Sequence, residues 1–412
     1  MLRIIFYKQY TKSFRCAIIK RKKVGIYMYR STHVKINLDN IKNNITEIIK
    51  KYDNYDYYFG VVKGNCYGHG IQIIETLIKN GINYLAVSSL DEALEIREIN
   101  KNIPILCLQP IDTEYLDICS KNNITITVHS STYVKNIKNI DNPITVHIKI
   151  DSGMSRLGFN NKNELKKAIS LLQKNNNINI EGIYTHMGTT GITDVYRKKQ
   201  LNNFEDITSL IDLNIFKIIH IDRSVTLLCQ PKLPYCNGVR LGIVMYGFGQ
   251  KRIERNFMQK IKYEIKTRLY NIPKTNYDEL NLLPAFSLYS KVIQVKKINQ
   301  GSLVGYGMSY QAPEDMIVAT VEIGYYDGLN LNYNNNYVFV NNKRYKIIGT
   351  INMGMITIKA DETIQEGDMV EIFGEHISIK EAARNSHTTV YQLLSCIPKF
   401  IPRIYVKNKE DE

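Results

Sequence analysis

From residue 57 onward, short β-branched or aromatic runs alternate with longer stretches whose apolar side chains recur at three- and four-residue spacing. The short runs are YYFGVVK (57–63), YLAVSS (84–89), ILCLQP (105–110) and ITITVHS (124–130). They continue with VHIKID (146–151), EGIYTH (181–186), IIHIDRS (218–224) and VRLGIVMYG (239–247). Helices are predicted at 70–80, 90–99, 162–174 and 196–211. In 162–174, Leu165, Ala168, Ile169, Leu171 and Leu172 fall at helical spacing. Eight alternating β–α units predict an α/β fold, a (β/α)8 TIM-type barrel over residues 28–250. An open doubly wound sheet is the alternative. No G-x-G-x-x-G follows the first run, which argues against a dinucleotide-binding version.

The pattern changes after about residue 250. Residues 251–281 are charged and irregular, and are expected to be a connector. From Leu282 the runs are short and strand-like: SKVIQVKKI, IVATVEIG, NYVFVNNKRYKIIGTI, MITIKA and DMVEIFG. Asn341-Asn342 and Glu366-Gly367-Asp368 supply turn chemistry between them. Residues 282–412 are therefore predicted to form a smaller all-β domain. The segment 379–397, IKEAARNSHTTVYQLLSCI, is read as a single late helix. A chain of 412 residues accommodates two such domains.

Composition narrows the function classes. With 44% hydrophobic and 23% charged residues, the chain is not a disordered one. No stretch of about 18 uncharged apolar residues exists, so no membrane-spanning helix and no membrane partner are expected. The net charge of +15 is unevenly spread. Residues 1–38 hold ten Lys and Arg and no acid, which leaves the rest of the chain at +5. The excess is a basic N-terminal segment rather than a phosphate-binding face, which argues against nucleic acid. Residues 1–27 are read as an extension, disordered or outside the native product, with Met28 as a start. The seven Cys form no C-x-x-C, so neither a disulfide framework nor a metal cluster is expected, and the cytoplasm fits.

In a barrel of this kind, chemistry sits at the C-terminal ends of the strands. The residues that fall there are Lys63 with Tyr67, Lys149 leading into Arg156, His186, Ser224, and Arg240 followed by Gly242. A lysine facing hydroxyls and free backbone amides suits a Schiff-base role, with Ser, Tyr and Gly positions suited to a phosphate.

The strings are more specific than the positions. VVKGNCYGHG (61–70) resembles the cofactor-lysine motif of alanine racemases. HIKIDSGMSRLGF (147–159), EGIYTHM (181–187), GVRLGIVMYG (238–247), VGYGMSY (304–310), IGYYDG (323–328) and IGTINMGM (348–355) look like that family in its order. The resemblance runs from about Met28 to the C-terminus. It implies a pyridoxal 5'-phosphate enzyme that interconverts L- and D-alanine for peptidoglycan, acting as a cytoplasmic homodimer with active sites shared between chains.

The resemblance also implies roles. Lys63 would hold the cofactor and act as one base, and Tyr306 as the other. Arg240 would meet the pyridine nitrogen. Tyr67, Ser224, the backbone amides of Gly242 and Ile243, and Tyr391 would hold the phosphate. His186 would couple Tyr306 to Arg240. Arg156 would orient the substrate, with Lys149 beside it as a carbamylated lysine. Tyr325 would narrow the entrance, and the backbone of Met353 would bind the substrate carboxylate. Tyr306, Tyr325 and Met353 are expected to reach the partner's barrel. No metal is expected.

Two bases agree with the chemistry. Racemisation removes the α-proton on one face and returns it on the other, which one fixed base does not easily do. An arginine at the pyridine nitrogen only donates, so it disfavours protonation of the ring. The chain departs from the family in three places. Asn352-Met353-Gly354 stands where Cys-Met-Asp is usual, Arg223 precedes the phosphate serine in place of Asn, and GLNLNY follows the GYYDG turn. The first departure leaves a serine or broad-specificity racemase as an alternative. A non-catalytic cofactor-binding protein is the alternative from another class.

Overall fold

The computed structural model describes residues 30–189, 195–249, 257–269 and 280–408. The 1–27 extension lies outside them, as do parts of the 251–281 connector. Within that connector, Phe257–Leu269 is a helix and not irregular chain. Its apolar residues 257, 261, 265 and 269 repeat every four positions, a helical period that the dense charge obscured.

The first strand, β1 (His33–Asn37), leads into the helix Leu38–Lys51. Asn37 caps that helix by accepting from the Asp39 and Asn40 amides. Ile41, Ile45 and Ile48 form its buried stripe. Burying each such side chain contributes roughly 1.5–3 kcal/mol.

The barrel follows. Its strands are β2 (Tyr57–Val61), β3 (Tyr84–Val87), β4 (Ile105–Cys107), β5 (Ile124–Val128), β6 (Ile144–Lys149), β7 (Ile178–Tyr184), β8 (Ile218–Arg223) and β9 (Gly238–Leu241). All are parallel, and β9 pairs with β2 to close the ring. All eight predicted runs are thus strands. The eighth run stops at Leu241, and its remainder is a 3-10 turn, Ile243–Tyr246. Each of the four predicted helices is present. Two short helices, Leu116–Lys121 and Ser131–Ile137, stand beside them between barrel strands. Inside the barrel, Phe59 stacks on Tyr84 (4.4 Å between centroids) and on His220 (4.5 Å).

The remaining strands are β10 (Phe286–Ile298), β11 (Leu303–Val304), β12 (Tyr310–Gln311), β13 (Met316–Val321), β14 (Tyr337–Val340), β15 (Lys343–Ile348), β16 (Ile356–Ala360), β17 (Met369–Phe373) and β18 (Arg403–Val406). β10 pairs with β17 along its first half and with β13 along its second, so the sheet curls back on itself. β1 also belongs to this sheet, between β10 and β18. The chain therefore starts in the β unit before it builds the barrel. The late segment 379–397 is two helices, Ile379–Asn385 and Val390–Ser395, not one. His387 takes φ 50° between them, and Thr389 caps the second helix by accepting from the Gln392 amide.

Candidate active site

A cavity of about 760 Å³ opens at the C-terminal end of the barrel strands. Lys63 and Tyr67 enter it after β2, Lys149 and Arg156 at and after β6, and His186 after β7. Arg223 and Ser224 come from the end of β8, and Arg240, Gly242 and Ile243 from β9 and just beyond. Tyr391 reaches it from the helix Val390–Ser395 of the β unit. The fold thus gathers ten of the residues singled out in sequence. Five of the lining side chains are Lys or Arg, and none of the described lining residues is Asp or Glu.

The loop after β2 is unusual. Gly64, Asn65, Cys66, Tyr67 and Gly68 all have positive φ (64°, 54°, 55°, 52° and 81°), one continuous left-handed turn. Each non-glycine residue there costs roughly 1–2 kcal/mol, so the surroundings must impose the shape. They do so through backbone bonds: Cys66 N donates to Val62 O (2.8 Å), Gly68 N to Gly64 O (2.9 Å) and Gly70 N to Asn65 O (2.9 Å). Glu92 adds a clamp, accepting from the amides of Gly64 (2.6 Å) and Ser88 (2.8 Å). The turn sends Lys63 and Tyr67 into one cavity from a five-residue span. Burial, followed by the charge of Arg156, lowers the Lys63 ammonium from its ordinary value.

Arg240 is buried, and its guanidinium is almost fully committed. Nη1 donates to His220 Nδ1 (2.7 Å) and His220 O (2.7 Å), and Nη2 to Thr185 O (2.7 Å) and Ile221 O (2.8 Å). A guanidinium has five N–H donors. The one left over is Nε–H, on a side chain that lines the cavity. Sequence reasoning coupled Arg240 to His186, but the hydrogen-bonded histidine is His220. His186 shares the cavity, where burial and then the Arg240 charge hold it far below the usual histidine range.

Behind His220, its Nε2 lies 2.9 Å from His147 Nδ1, and His147 Nε2 lies 3.2 Å from Glu181 Oε2. These three residues were missed in sequence, although each sits in a quoted string. The available signal was the two-residue strand period, which puts His147 on the same face of β6 as Lys149.

Lys149 is buried beside Tyr184, its Nζ 5.0 Å from the ring centre and donating to Ile150 O (2.7 Å). Burial, then Arg240, pushes its ammonium down to about 7. Arg156 rides on a loop tied by Asp151, which accepts from the amides of Gly153 (3.0 Å) and Ser155 (2.9 Å).

At the mouth of β8 and β9, Ser224 Oγ accepts from the Gly242 amide (2.7 Å). A Cβ on Gly242 would stand 3.0 Å from Tyr67 Oη and 3.6 Å from Ser224 Oγ, so glycine keeps that corner open. The rings of Tyr67 and Tyr391 lie 6.0 Å apart. Hydroxyls and an amide corner make a cradle for an anion of phosphate size.

The structure places the other three predicted residues elsewhere in the chain. Tyr306 is 72% exposed, Met353 59% and Tyr325 42%. All belong to the β unit and share one edge of it. Tyr325 N donates to Asn352 O (3.0 Å), Tyr326 N to Met353 O (2.9 Å), and Thr350 Oγ1 to Tyr306 O (3.2 Å). No described residue of this edge lines the chain's own cavity.

Residues 36–250 match the family described as "Alanine racemase, N-terminal domain", and residues 285–405 "Alanine racemase, C-terminal domain". The chain is 33% identical to the alanine racemase of Streptococcus mutans over 387 residues, 92% of this chain and 98% of that protein. It is 31% identical to that of Methanococcus maripaludis over 386 residues, 90% and 98% of the two chains. Among solved structures, the alanine racemase of Bacillus anthracis with bound L-Ala-P superposes with a TM-score of 0.81. It shares 30% sequence identity, covering 93% of this chain and 97% of that one.

Proposed function

This chain belongs to the alanine racemase family, and on that premise we propose how its residues carry out the reaction. The activity is the racemisation of alanine between its L and D forms. The proposed cofactor is pyridoxal 5'-phosphate, and the cavity suits it. The corner kept open at Gly242 has hydroxyls on two sides, and the uncommitted Nε–H of Arg240 is a donor for a ring nitrogen. The cofactor supplies an electron-withdrawing ring that stabilises negative charge at the substrate α-carbon.

Lys63 Nζ holds the cofactor and moves a proton at the α-carbon on one face. Its lowered ammonium favours the neutral amine needed for that work. Arg240 Nε–H would meet the ring nitrogen, and because a guanidinium only donates, it would disfavour protonation there. Tyr67, Ser224, Tyr391 and the Gly242–Ile243 corner bind the phosphate. Arg156 orients the substrate. Lys149, with its ammonium near 7, is partly neutral at physiological pH and is the proposed carbamylated lysine.

The second base, Tyr306, comes from a second copy of the chain, together with Tyr325 at the entrance and the Met353 backbone for the substrate carboxylate. The exposure of all three on one edge supports a homodimer with shared sites. Among the described residues no helix is long and apolar enough to cross a membrane. A cytoplasmic enzyme that supplies D-alanine to peptidoglycan is the setting we propose.

The observation that carries this reading is the convergence of Lys63 and Arg240 on one cavity without a carboxylate. The test is to load the purified protein with pyridoxal 5'-phosphate and follow D-alanine formed from L-alanine, with L-serine and other amino acids alongside. Alanine is expected to turn over fastest. Absence of any visible cofactor band, with no borohydride adduct on Lys63, would overturn the reading.

A further inference from the structure

We propose that Arg223 is a direct ligand of the cofactor's phosphate, supplying the full positive charge that the rest of the cradle lacks. This rests on the cofactor reading above and extends it to a residue with no assigned role. Arg223 ends β8, directly before Ser224, and its Cα is the register partner of Arg240 on β9. It lines the same cavity as Ser224, Tyr67 and Tyr391.

Its guanidinium differs from those of the other enclosed arginines. Arg97 donates to three carbonyls, Arg240 has four acceptors, and Arg197, whose Nε is also buried and unpartnered, has its charge met by Asp222 and its Nη1 by Gln230. Arg223 Nε is buried and has no hydrogen-bond partner. No described lining residue offers a carboxylate to balance the charge. An enclosed donor without an acceptor is costly, and the cost is removed when an acceptor arrives with a ligand.

Direction is given by the two tyrosines. The Arg223 charge acts on the phenols of both Tyr67 and Tyr391, opposing the upward push that burial gives each. Among the described residues no other cation acts on both. A guanidinium placed beside two hydroxyls and an amide corner matches a phosphate, which offers three acceptor oxygens and about −1.5 to −2 charge. The substrate carboxylate has only two oxygens and is assigned to Arg156 and Met353.

The test compares two probes that differ only in the phosphate. Enzyme stripped of cofactor is titrated with pyridoxal 5'-phosphate and with pyridoxal, following the visible band, for the wild type, Arg223→Asn and Arg223→Lys. Arg223→Asn is expected to weaken pyridoxal 5'-phosphate binding by about 10- to 100-fold, the loss of charged hydrogen bonds, while pyridoxal binding changes little. Arg223→Lys is expected to fall between, since it keeps the charge and loses the fork. Inorganic phosphate is expected to compete with pyridoxal less well in the Asn variant. Equal weakening of both probes, or of neither, would overturn the proposal. If Arg223→Asn does not fold, Arg223→Lys carries the same comparison. A wild type that binds pyridoxal as tightly as its phosphate would instead sink the phosphate-cradle reading itself.

Discussion

Arg240 Nη1 lies 2.7 Å from His220 Nδ1, and this single contact settles the protonation of a buried column. Arginine has no acceptor, so His220 Nδ1 must present its lone pair and Nε2 carries the proton. That proton points at His147 Nδ1, 2.9 Å away, which leaves the His147 proton on Nε2, facing Glu181 Oε2 at 3.2 Å. A donor-only group at one end and an acceptor-only carboxylate at the other give the column one direction. Tyr84 Oη and Lys217 Nζ also donate to Glu181, at 3.0 and 3.4 Å.

Cutting the column at His220 is expected to disturb Arg240 without removing it. His220→Phe keeps the ring stacking with Phe59 and Tyr184 but leaves an Arg240 donor and His147 Nδ1 without partners. A loss of about 1–3 kcal/mol in unfolding free energy is expected, with a shifted cofactor absorption band. If thermal unfolding and the spectrum both matched the wild type, the contact would have no energetic role.

Shared sites make a stronger prediction. Lys63→Ala is expected to lower alanine racemisation by about a thousandfold. Tyr306→Ala is expected to do so as well, although Tyr306 is 72% exposed in its own chain. Mixing the two inactive proteins under conditions that exchange subunits is expected to restore activity at one of the two sites in each mixed dimer. No recovery, with mixed dimers verified by mass, would count against Tyr306 acting across the interface.

Acid is expected to destabilise the fold for a specific reason. Burial holds His69, His147, His186 and His220 below the ordinary histidine range. Unfolded, each titrates near about 6.5. Below that pH the unfolded chain binds more protons than the folded one, so stability is full above it and is lost as pH falls. His69, pushed down to about 3, spans a window from the unfolded value to about 3. Within it each such histidine contributes up to about 1.4 kcal/mol per pH unit. His69→Phe, which retains a ring against Tyr246, is expected to flatten the slope of unfolding free energy against pH by one proton. An unchanged slope would place the acid sensitivity elsewhere.

The left-handed turn yields a backbone prediction. Gly68 has φ 81°, and a Cβ there would stand 2.0 Å from Leu394 O, in the helix that carries Tyr391. Gly68→Ala is expected to cost about 3 kcal/mol or more and to weaken cofactor retention, because Tyr391 must move. Chemical denaturation reads the first effect and dialysis the second. Normal stability in this variant would mean that the two units separate there at no cost.

Much of the molecule was legible in the chain alone. Alternation of β-branched runs with helical periods gave all eight barrel strands, because buried parallel strands must be apolar and their covering helices must be one-sided. The ordered motifs carry Lys63 and Arg240, and strand-end position marks Ser224, since local strings dictate which side chains end a strand. Other features depend on contacts distant in sequence. The left-handed run through Asn65, Cys66 and Tyr67 is held by the backbone bonds of its own turn and by Glu92, which clamps it from the helix Leu90–Arg97. β1 joins strands more than 240 residues away because its edge is completed only there. The committed guanidinium of Arg240, the direction of the histidine column and the unpartnered Nε of Arg223 follow from hydrogen-bond geometry across four strands, which a one-dimensional pattern does not carry.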